Sequence, residues 1–510
     1  MLGQRLASML IVFVGLYFAV LLLLCTYGLH RAHLVFLLWR HRAKVHAACQ
    51  LLPGPEGELP TVTIQLPLYN EATVVSRLLG GVASIDYPRD KLEIQVLDDS
   101  SDETRHIAGL AVEELRARGL DAKYLRRKDR HGYKAGALDY GLKLAQGELI
   151  AIFDADFIPQ PNFLRDVVGH FSDPAIGMVQ TRWGHLNRDV GMLTRVQALM
   201  LDGHHLVENQ ARFGAGCFFN FSGTGGVWRR SAIDSAGGWQ HDTLTEDLDL
   251  SYRAQLRGWK FVYRPDVVTP AELPEDMAAL CAQQFRWAKG TVQTARKLLP
   301  GILRSQLSLR QRIEAAFHML PHFAYPLMLL LSVLLLPALI LMPATDLRTM
   351  LVIDLPLCIG ATGSLVTFYA MAERAQGRSI WQAVRTMPSL IALGAGLSPC
   401  LTRAVVEGFR TMAGEFVRTP KRGRDASRYR QGTQWPIAEL TLGCLSGISV
   451  VVAVETNHWF ALPFAGLFMY GYLYVATRLI GEQFVARRET LVPAPDRALE
   501  VETSGMARVA

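Results

Sequence analysis

The sequence predicts a multi-pass α-helical membrane protein that carries one α/β domain between its membrane helices. Long apolar runs lie near the N-terminus and in the last third of the chain, whereas residues 55–304 have the mixed composition of a soluble domain. Within that stretch, short strands alternate with helical patterns, which favours a mostly parallel sheet. Three strands end in polar residues, which indicates a binding site at one edge of the sheet.

The composition argues against several classes of protein. The net charge of +7 is typical of basic cytoplasmic segments in a membrane protein, and we expect no nucleic-acid partner. The seven cysteines are far apart and include no CxxC pair. Neither a disulfide framework nor a zinc site is therefore predicted.

The first apolar run, residues 6–29, contains no charged residue. It is long enough to cross a hydrocarbon core of about 30 Å as a helix. A cleaved signal peptide is the alternative, although the run is long and no small-x-small cleavage site ends it. More basic residues follow the run than precede it, which places its C-terminal end in the cytoplasm.

Four further runs predict membrane helices, at about residues 323–342, 350–371, 436–454 and 459–477. The piece 387–401 is also apolar, but it holds two prolines and two glycines, and a basic loop follows it. If that piece crossed the bilayer, the basic loop would lie outside. We therefore predict an interfacial helix there.

These runs divide the chain into six parts. The predicted parts are an N-terminal membrane helix (residues 1–40), a cytoplasmic α/β domain (41–305), two membrane helices (306–372), cytoplasmic interfacial helices with a loop (373–435), two membrane helices (436–478) and a flexible cytoplasmic tail (479–510). The lipid bilayer is thus an expected partner. The expected location is the plasma (inner) membrane, with the α/β domain in the cytoplasm.

The α/β domain is predicted from three strands and the helices that separate them. The strands are at residues 62–66, 92–97 and 148–153, and the helices at 73–84, 104–118 and 134–145. The strands are followed by the runs Tyr69-Asn70-Glu71, Asp98-Asp99-Ser100 and Asp154-Ala155-Asp156. One acidic strand end is often a turn or a helix cap. Three at the carboxyl edge of one parallel sheet predict a binding site.

Two acidic motifs are candidates for the site, and the first of them suits a metal ion and phosphate. Asp154 and Asp156 put two carboxylates within reach of one point, which suits Mg²⁺ or Mn²⁺ and the phosphate oxygens that these ions bind. Such a triplet is a weak signal by itself, because it also occurs as a loop-capping pair. Thr245-Glu246-Asp247 precedes an amphipathic helix at residues 248–256, where the helix dipole alone also favours acids.

A third motif is cationic and aromatic. Gln283, Arg286 and Trp287 lie in a predicted helix at residues 277–299, and the first two share a face because they are three residues apart. A guanidinium suits phosphate, and an indole face suits a sugar ring. An interfacial tryptophan near the membrane is the alternative. The glycine-rich run at 220–226 lacks phosphate-loop spacing but allows close approach of the backbone to a ligand.

In this order and between membrane helices, these motifs resemble the processive family-2 glycosyltransferases. That group includes cellulose synthase, its cellulose-synthase-like relatives and hyaluronan synthase. The resemblance covers about residues 60–421, and the run Gln180-Thr181-Arg182-Trp183 looks most like the glucomannan-synthase branch. It implies a nucleotide-sugar-binding domain of the GT-A type and an inverting glycosyltransferase.

The resemblance also implies a role for each matching residue. Asp247 would be the catalytic base, and Asp156 would hold the metal ion, Mg²⁺ or Mn²⁺. The residues implied to bind donor or acceptor are Tyr69, Glu71, Asp99, Lys134, Asp154, Ser222, Gln283, Arg286, Trp287, Thr419 and Lys421.

Two of the matches depart from cellulose synthase. Ser222 stands where that enzyme carries cysteine, which leaves open which polymer end is recognised. Thr419 and Lys421 belong to a stretch that resembles its gating loop, with Arg418 in place of valine.

The resemblance finally implies the reaction and its partners. A hexose would pass from a nucleotide sugar to a growing β-linked polysaccharide that is extruded across the membrane. UDP-glucose is the expected donor, and GDP-mannose is the alternative donor. The resemblance also allows accessory export subunits as further partners. One alternative is a non-processive glycolipid synthase of the ceramide-glucosyltransferase type, with a lipid acceptor. A membrane transporter or scaffold is another alternative, but a scaffold would not need the acidic strand ends.

Overall fold

The computed structural model describes residues 2–50, 58–342, 362–414 and 435–491, and its soluble part is built on one seven-stranded sheet. The strands are β1 (Val62–Leu68), β2 (Leu92–Asp98), β3 (Asp121–Leu125), β4 (Leu149–Ile152), β5 (Ile176–His185), β6 (Gly226–Arg229) and β7 (Lys260–Ala271). Their order across the sheet is β3-β2-β1-β4-β6-β5-β7.

The three strands predicted from the sequence are β1, β2 and β4, and they lie side by side and run parallel. Nearly all their residues are buried, as expected for parallel strands covered on both faces. Leu68 is in register with Asp98, so the polar runs after β1 and β2 emerge at the same edge. Among the described strands β6 alone is reversed, which confirms the mostly parallel sheet.

Sixteen labelled helices accompany the sheet within the described residues. They are α1 (Leu2–Cys49), α2 (Val75–Ala83), α3 (Thr104–Ala117), α4 (Tyr133–Leu144), α5 (Phe163–Val168), α6 (Met192–Gly203), α7 (Asn209–Ala215), α8 (Arg230–Ser235), α9 (Glu246–Leu256), α10 (Met277–Arg304), α11 (Leu309–Met319), α12 (Ala324–Leu341), α13 (Ser364–Ala375), α14 (Ile380–Arg410), α15 (Ile437–Glu455) and α16 (Leu462–Leu491). The predicted helices after β1, β2 and β3 are confirmed as α2, α3 and α4.

Four helical segments of the described chain are long and apolar enough to cross a membrane. They are Ile11–Cys49, Pro321–Leu341, Ile380–Arg410 and Ile437–Glu455. Most of the predicted run at 350–371 lies outside the described residues. The predicted run at 459–477 is helical in α16, but α16 is not among the four, because glycines, tyrosines and Arg478 lower its mean hydropathy.

The first helix runs past its predicted end at residue 40 and reaches Cys49. Its last turns belong to the soluble domain, since Lys44 Nζ donates to the carbonyl oxygen of Phe213 at 3.1 Å. Its middle meets the segment before α12, because the Tyr27 hydroxyl donates to the carbonyl oxygen of Leu320 at 2.9 Å. One continuous helix thus connects the apolar bundle with the α/β domain.

The helix predicted at 387–401 is longer than expected, since α14 has 31 residues. Both of its ends meet the α/β domain. Gln376, just before α14, accepts from Arg182 at 3.3 Å, and the backbone N–H of Ala413, just after it, donates to the carbonyl oxygen of Asp242 at 2.8 Å. The same helix is one of the four segments that are long and apolar enough to cross a membrane. The interfacial position stays a prediction.

The prediction of a flexible tail is wrong for residues 479–491, because they continue α16 as a helix. Residues 492–510 lie outside the described chain. Glu482 gives the physical reason. Its carboxylate accepts from the backbone N–H groups of Met277 at 2.7 Å and Ala278 at 2.9 Å. These first-turn donors of α10 have no partner within their own helix. The last helix therefore caps the helix that carries Gln283 and Arg286.

Candidate active site

All the predicted site residues that the structure describes line one cleft at the carboxyl edge of the sheet. They are Tyr69, Glu71, Asp99, Lys134, Asp154, Asp156, Ser222, Asp247, Gln283, Arg286 and Trp287. Thr419 and Lys421 lie outside the described residues, with the rest of the gating-like stretch. The cleft is therefore formed where four parts of the fold meet: the strand ends, the start of α4, the start of α9 and one face of α10.

Tyr69 and Asp99 follow β1 and β2, and two arginines lie against them. Arg127 donates to both carboxylate oxygens of Asp99, with its Nε 3.0 Å from Oδ1. The guanidinium carbon of Arg130 lies 3.2 Å from the centre of the Tyr69 ring, a cation–π contact. Neither arginine was predicted, although both belong to the basic run between β3 and α4, which was the available signal.

Lys134 joins the end of β4 to the glycine-rich turn. It follows Tyr133, whose φ of 49° makes the turn into α4 tight. The Lys134 ammonium donates to the Asp154 carboxylate and to the carbonyl oxygen of Gly223, the latter at 2.9 Å. The Asp154 backbone N–H donates to the Thr224 hydroxyl at 2.9 Å. These contacts fix the first aspartate of the Asp-x-Asp triplet against the turn.

The glycine-rich turn touches the predicted base. Gly223 has a φ of +82°, and a Cβ there would lie 3.0 Å from Oδ2 of Asp247 and 3.6 Å from Nζ of Lys134. Glycine is therefore required both by the backbone conformation and by the space. The backbone N–H of Ser222 donates to the side-chain oxygen of the buried Gln180 at 2.8 Å, which holds the turn in place.

Asp247 is the second residue of α9, and it accepts a hydrogen bond from the backbone N–H of Leu248 at 2.8 Å. Burial, which is the largest cause, and the neighbouring Glu246 charge raise the pKa of Asp247 to about 7. The Leu248 hydrogen bond and the charges of Lys134 and Arg286 act in the opposite direction. A carboxylate with a pKa near the working pH is suited to general-base chemistry.

Helix α10 presents Gln283, Arg286 and Trp287 to the cleft. The helix approaches the loop before α9 closely because residue 290 is glycine. A Cβ at Gly290 would lie 2.7 Å from Cγ2 of Thr245. The acidic motif at the start of α9 is thereby held against the cationic and aromatic motif.

Lys134 and Arg286 are two cations that lie close to Asp154, Glu246 and Asp247 in the cleft. Burial lowers the pKa of Lys134, but Asp154, Glu246 and Asp247 outweigh burial and raise it overall. Burial also lowers the pKa of Arg286, although the charges of the same three carboxylates raise it. A guanidinium stays protonated in proteins, so both groups carry charge at neutral pH. The cleft thus holds fixed positive charge beside its acids.

Asp154 and Asp156 fit a divalent ion that takes its other ligands from a diphosphate. Asp156 Oδ2 accepts from the backbone N–H of Glu272 at 3.2 Å, which orients it at the cleft. Among the described residues, no group of three or more His, Cys, Asp or Glu side chains is spaced to hold a metal. Mg²⁺ is usually held by one or two carboxylates together with substrate phosphates, so a pair is sufficient.

Trp183 and His185 are further cleft residues, two positions apart on β5. Trp183 packs edge-on against Phe157, with ring centres 5.1 Å apart. From the sequence, the tryptophan contributed only to the resemblance, and the histidine was not predicted. The available signal was the period of two along the end of β5, which puts Thr181, Trp183 and His185 on one face.

The raised pKa of Asp247 gives a testable pH dependence. We expect kcat/KM for glycosyl transfer to rise with pH and to reach half its maximum near pH 7, because protonation removes the base below its pKa of about 7. Initial rates over about pH 5–9 measure this profile. Glu246→Gln should move the midpoint to lower pH, since the Glu246 charge raises the pKa of Asp247. A midpoint near pH 4, where ordinary carboxyl groups titrate, would contradict the assignment.

With the site described, the chain can be compared with known proteins. Residues 60–290 match the family model described as "Glycosyltransferase like family 2". Probable glucomannan 4-beta-mannosyltransferase 7 of Oryza sativa subsp. japonica is 43% identical over 270 residues, which cover 52% of this chain and 46% of that protein. Glucomannan 4-beta-mannosyltransferase 1 of Cyamopsis tetragonoloba is 36% identical over 324 residues, or 60% of each chain. The chain thus spans about half the length of the curated relatives it matches.

The fold also matches a solved structure. A mannosyltransferase from Pyrobaculum calidifontis, in complex with GDP-Man and Mn²⁺, has a TM-score of 0.50 and 23% identity, and the match covers 72% of this chain and 99% of that one. That likeness shows the fold of the domain, a mixed α/β sheet of the GT-A type. Residues 60–290, which form the cleft at the carboxyl edge of the sheet between candidate membrane helices, thus match a family-2 glycosyltransferase domain, and the chain is similar to the glucomannan 4-β-mannosyltransferases of the cellulose-synthase-like group.

Proposed function

We propose that this chain is an inverting β-mannosyltransferase that moves mannose from GDP-mannose to a growing β-1,4-linked polysaccharide. The observation that carries the proposal is the meeting of the Asp247 carboxylate with Lys134 and Arg286 in one cleft. A base beside two cations suits attack by a hydroxyl group while a diphosphate departs. The names of the relatives support the sugar and the linkage.

Transfer proceeds by one in-line displacement at the anomeric carbon. The donor bond is α and the product bond is β, so a single attack inverts the configuration. The transition state resembles an oxocarbenium ion, as in glycoside hydrolysis. Asp247 accepts the proton of the acceptor hydroxyl as the new bond forms, a contribution of about 10²–10⁴-fold for a positioned base.

The leaving diphosphate gains negative charge as the glycosidic bond breaks. Lys134 and Arg286 are fixed at the cleft and stabilise that charge without reorganisation. Asp154 and Asp156 would hold the divalent ion, Mg²⁺ or Mn²⁺, which when bound supplies further positive charge to the diphosphate oxygens. Trp287 lines the same cleft and offers an indole face to a sugar ring.

The proposed donor differs from the donor expected from the sequence. The sequence favoured UDP-glucose, with GDP-mannose as the alternative. No described contact in the cleft distinguishes the two sugars. The preference for mannose rests on the named activity of the relatives, which match 48–60% of this chain at 36–43% identity. UDP-glucose remains the second donor to test.

We further propose that the glycosyltransferase domain faces the cytoplasm, where nucleotide sugars are made, and that the plasma or inner membrane is its location. Charge asymmetry around the first helix supports this orientation. The exposed side chains of Ile380, Trp381 and Phe409 support an interfacial position for α14. The product would leave between the membrane helices next to α10, and the lipid bilayer is the partner of this assembly.

One experiment tests donor, product and linkage together. Membranes from cells that produce the chain receive radiolabelled GDP-mannose, UDP-glucose or UDP-N-acetylglucosamine with Mg²⁺ or Mn²⁺. We expect label from GDP-mannose in long polymer that a β-1,4-mannan hydrolase digests. Membranes carrying Asp247→Asn are the matched control, because asparagine has nearly the same size and still offers an oxygen to the Leu248 N–H.

The same experiment separates the proposal from its rivals. Label that enters polymer only from UDP-glucose would overturn mannosyl transfer in favour of the original donor expectation. Label that extracts into organic solvent, with no polymer, would favour the glycolipid synthase. Absence of incorporation from every sugar nucleotide would contradict a glycosyltransferase of this class.

A further inference from the structure

His185 is anchored in the wall of the cleft by a buried carboxylate. Its side chain is 5% exposed, and its Nε2 lies 3.2 Å from Oδ1 of Asp202, which is 1% exposed. Burial would raise the pKa of Asp202, but the His185 hydrogen bond and the charges of His185 and Arg188 hold it well below its usual value. An ionised carboxylate only accepts hydrogen bonds, so Nε2 of His185 carries hydrogen. Nδ1 is then the ring nitrogen left to meet a ligand.

Asp202 belongs to a buried row of charged groups that continues to α13. The guanidinium of Arg188 donates both to Asp202 and to Glu373. The side chains of Arg188 and Glu373 are 8% and 1% exposed. Moving one member of such a row would leave an unpaired buried charge, which is costly. The row therefore holds the imidazole of His185 in one orientation.

The family resemblance implies that Tyr69, Glu71 and Asp99 lie at the nucleotide base of the donor, and the position of His185 in the sheet is far from them. Asp99 follows β2, whereas His185 ends β5, and the order β2-β1-β4-β6-β5 separates the two strands by four steps. At about 4.8 Å a step the two ends are about 19 Å apart. A nucleotide sugar that runs from the β1 and β2 ends to Asp154 and Asp156 after β4 directs its sugar towards β6 and β5. His185 thus lies on the acceptor side.

We propose that His185 is an acceptor-binding residue, whose Nδ1 hydrogen-bonds a hydroxyl of the acceptor sugar, and that Asp202 is the residue that positions it. This inference rests on the proposed transferase function and adds a specificity residue to the same cleft. Trp183, two residues earlier on the same strand, lines the cleft beside the histidine. An aromatic ring next to a fixed polar group is a suitable surface for a pyranose.

Kinetics on the detergent-purified full chain test the proposal, with GDP-mannose as donor and a short β-1,4-mannan oligosaccharide as acceptor. We expect His185→Phe to raise the KM for the acceptor about tenfold, the effect of one lost hydrogen bond at a desolvated site. The KM for GDP-mannose should stay unchanged. His185→Gln, which keeps a polar group, should recover part of the loss. Asp202→Asn should also raise the KM for the acceptor without changing the KM for GDP-mannose.

His170→Asn is the matched control, because His170 is a buried histidine that contacts Arg264 and does not line the cleft. If His185→Phe does not fold, His185→Gln still tests the contact through the ratio of acceptor KM to donor KM. Wild-type acceptor KM in both His185 variants, or an equal rise in donor KM, overturns the inference. Failure of the proposed function is distinguished at once, since the unaltered chain would then transfer no sugar.

Discussion

Asp247→Asn is expected to reduce glycosyl transfer by about 10²–10⁴-fold while GDP-mannose binding survives. Asparagine has nearly the same size and still offers an oxygen to the Leu248 N–H, which Asp247 accepts at 2.8 Å. It does not accept a proton from the attacking hydroxyl. Initial rates in membranes and nucleotide binding to the purified chain measure the two quantities separately.

The neighbouring carboxylate supplies the control for this experiment. Glu246 and Asp247 are adjacent on α9 and line the same cleft, so Glu246→Gln removes a charge at nearly the same place. We expect Glu246→Gln to keep most of its turnover near neutral pH. Turnover close to normal in Asp247→Asn, or a larger loss in Glu246→Gln, would show that another group takes the proton.

Lys134→Ala is expected to lower kcat by about 10²–10³-fold, because it removes a fixed charge that stabilises the leaving diphosphate. The Lys134 ammonium donates to Asp154 and to the carbonyl oxygen of Gly223. A second effect distinguishes this variant from a generally damaged protein. Lys134 lowers the pKa of Asp247, so without it the acidic limb of the pH profile should move to higher pH.

Lys289→Ala is the matched control for Lys134→Ala. Lys289 also pairs with a carboxylate, Glu407 at 3.1 Å, but it lies outside the cleft. We expect nearly normal kcat and an unmoved pH profile, and thermal unfolding of both variants checks their folding. A normal kcat in the Lys134→Ala protein would show that Lys134 does not stabilise the leaving diphosphate.

The sequence predicted the location of the site because the relevant signals are local. The apolar strands before Glu71, Asp99 and Asp154 identify a parallel sheet, and the carboxyl ends of parallel strands share one edge. The spacing of Gln283 and Arg286 identifies one face of a helix. Eleven of the predicted residues line the cleft, and some of them, such as Lys134 and Ser222, were predicted only through the family resemblance.

Other features depended on contacts between distant parts of the chain. The sequence of α14 contains Pro388 and Pro399, which favour a break, yet the helix is continuous over 31 residues. Close crossing of neighbouring helices supports it, since a Cβ at Gly396 would lie 2.3 Å from the carbonyl oxygen of Gly471. The helical start of the predicted tail has a similar origin, because Glu482 caps α10. No local pattern reports such contacts.

By itself, then, the sequence determined the α/β domain between apolar helices and the residues that meet at its edge, because periodicity and strand ends are encoded in neighbouring residues. Only the tertiary structure decided the state of those residues. Asp247 has a pKa near 7 because of burial and Glu246, and Asp99 is held by Arg127. His185 is oriented by a charged row that ends on α13. Burial and charge partners come from segments far apart in the chain, so they exist only once it has folded.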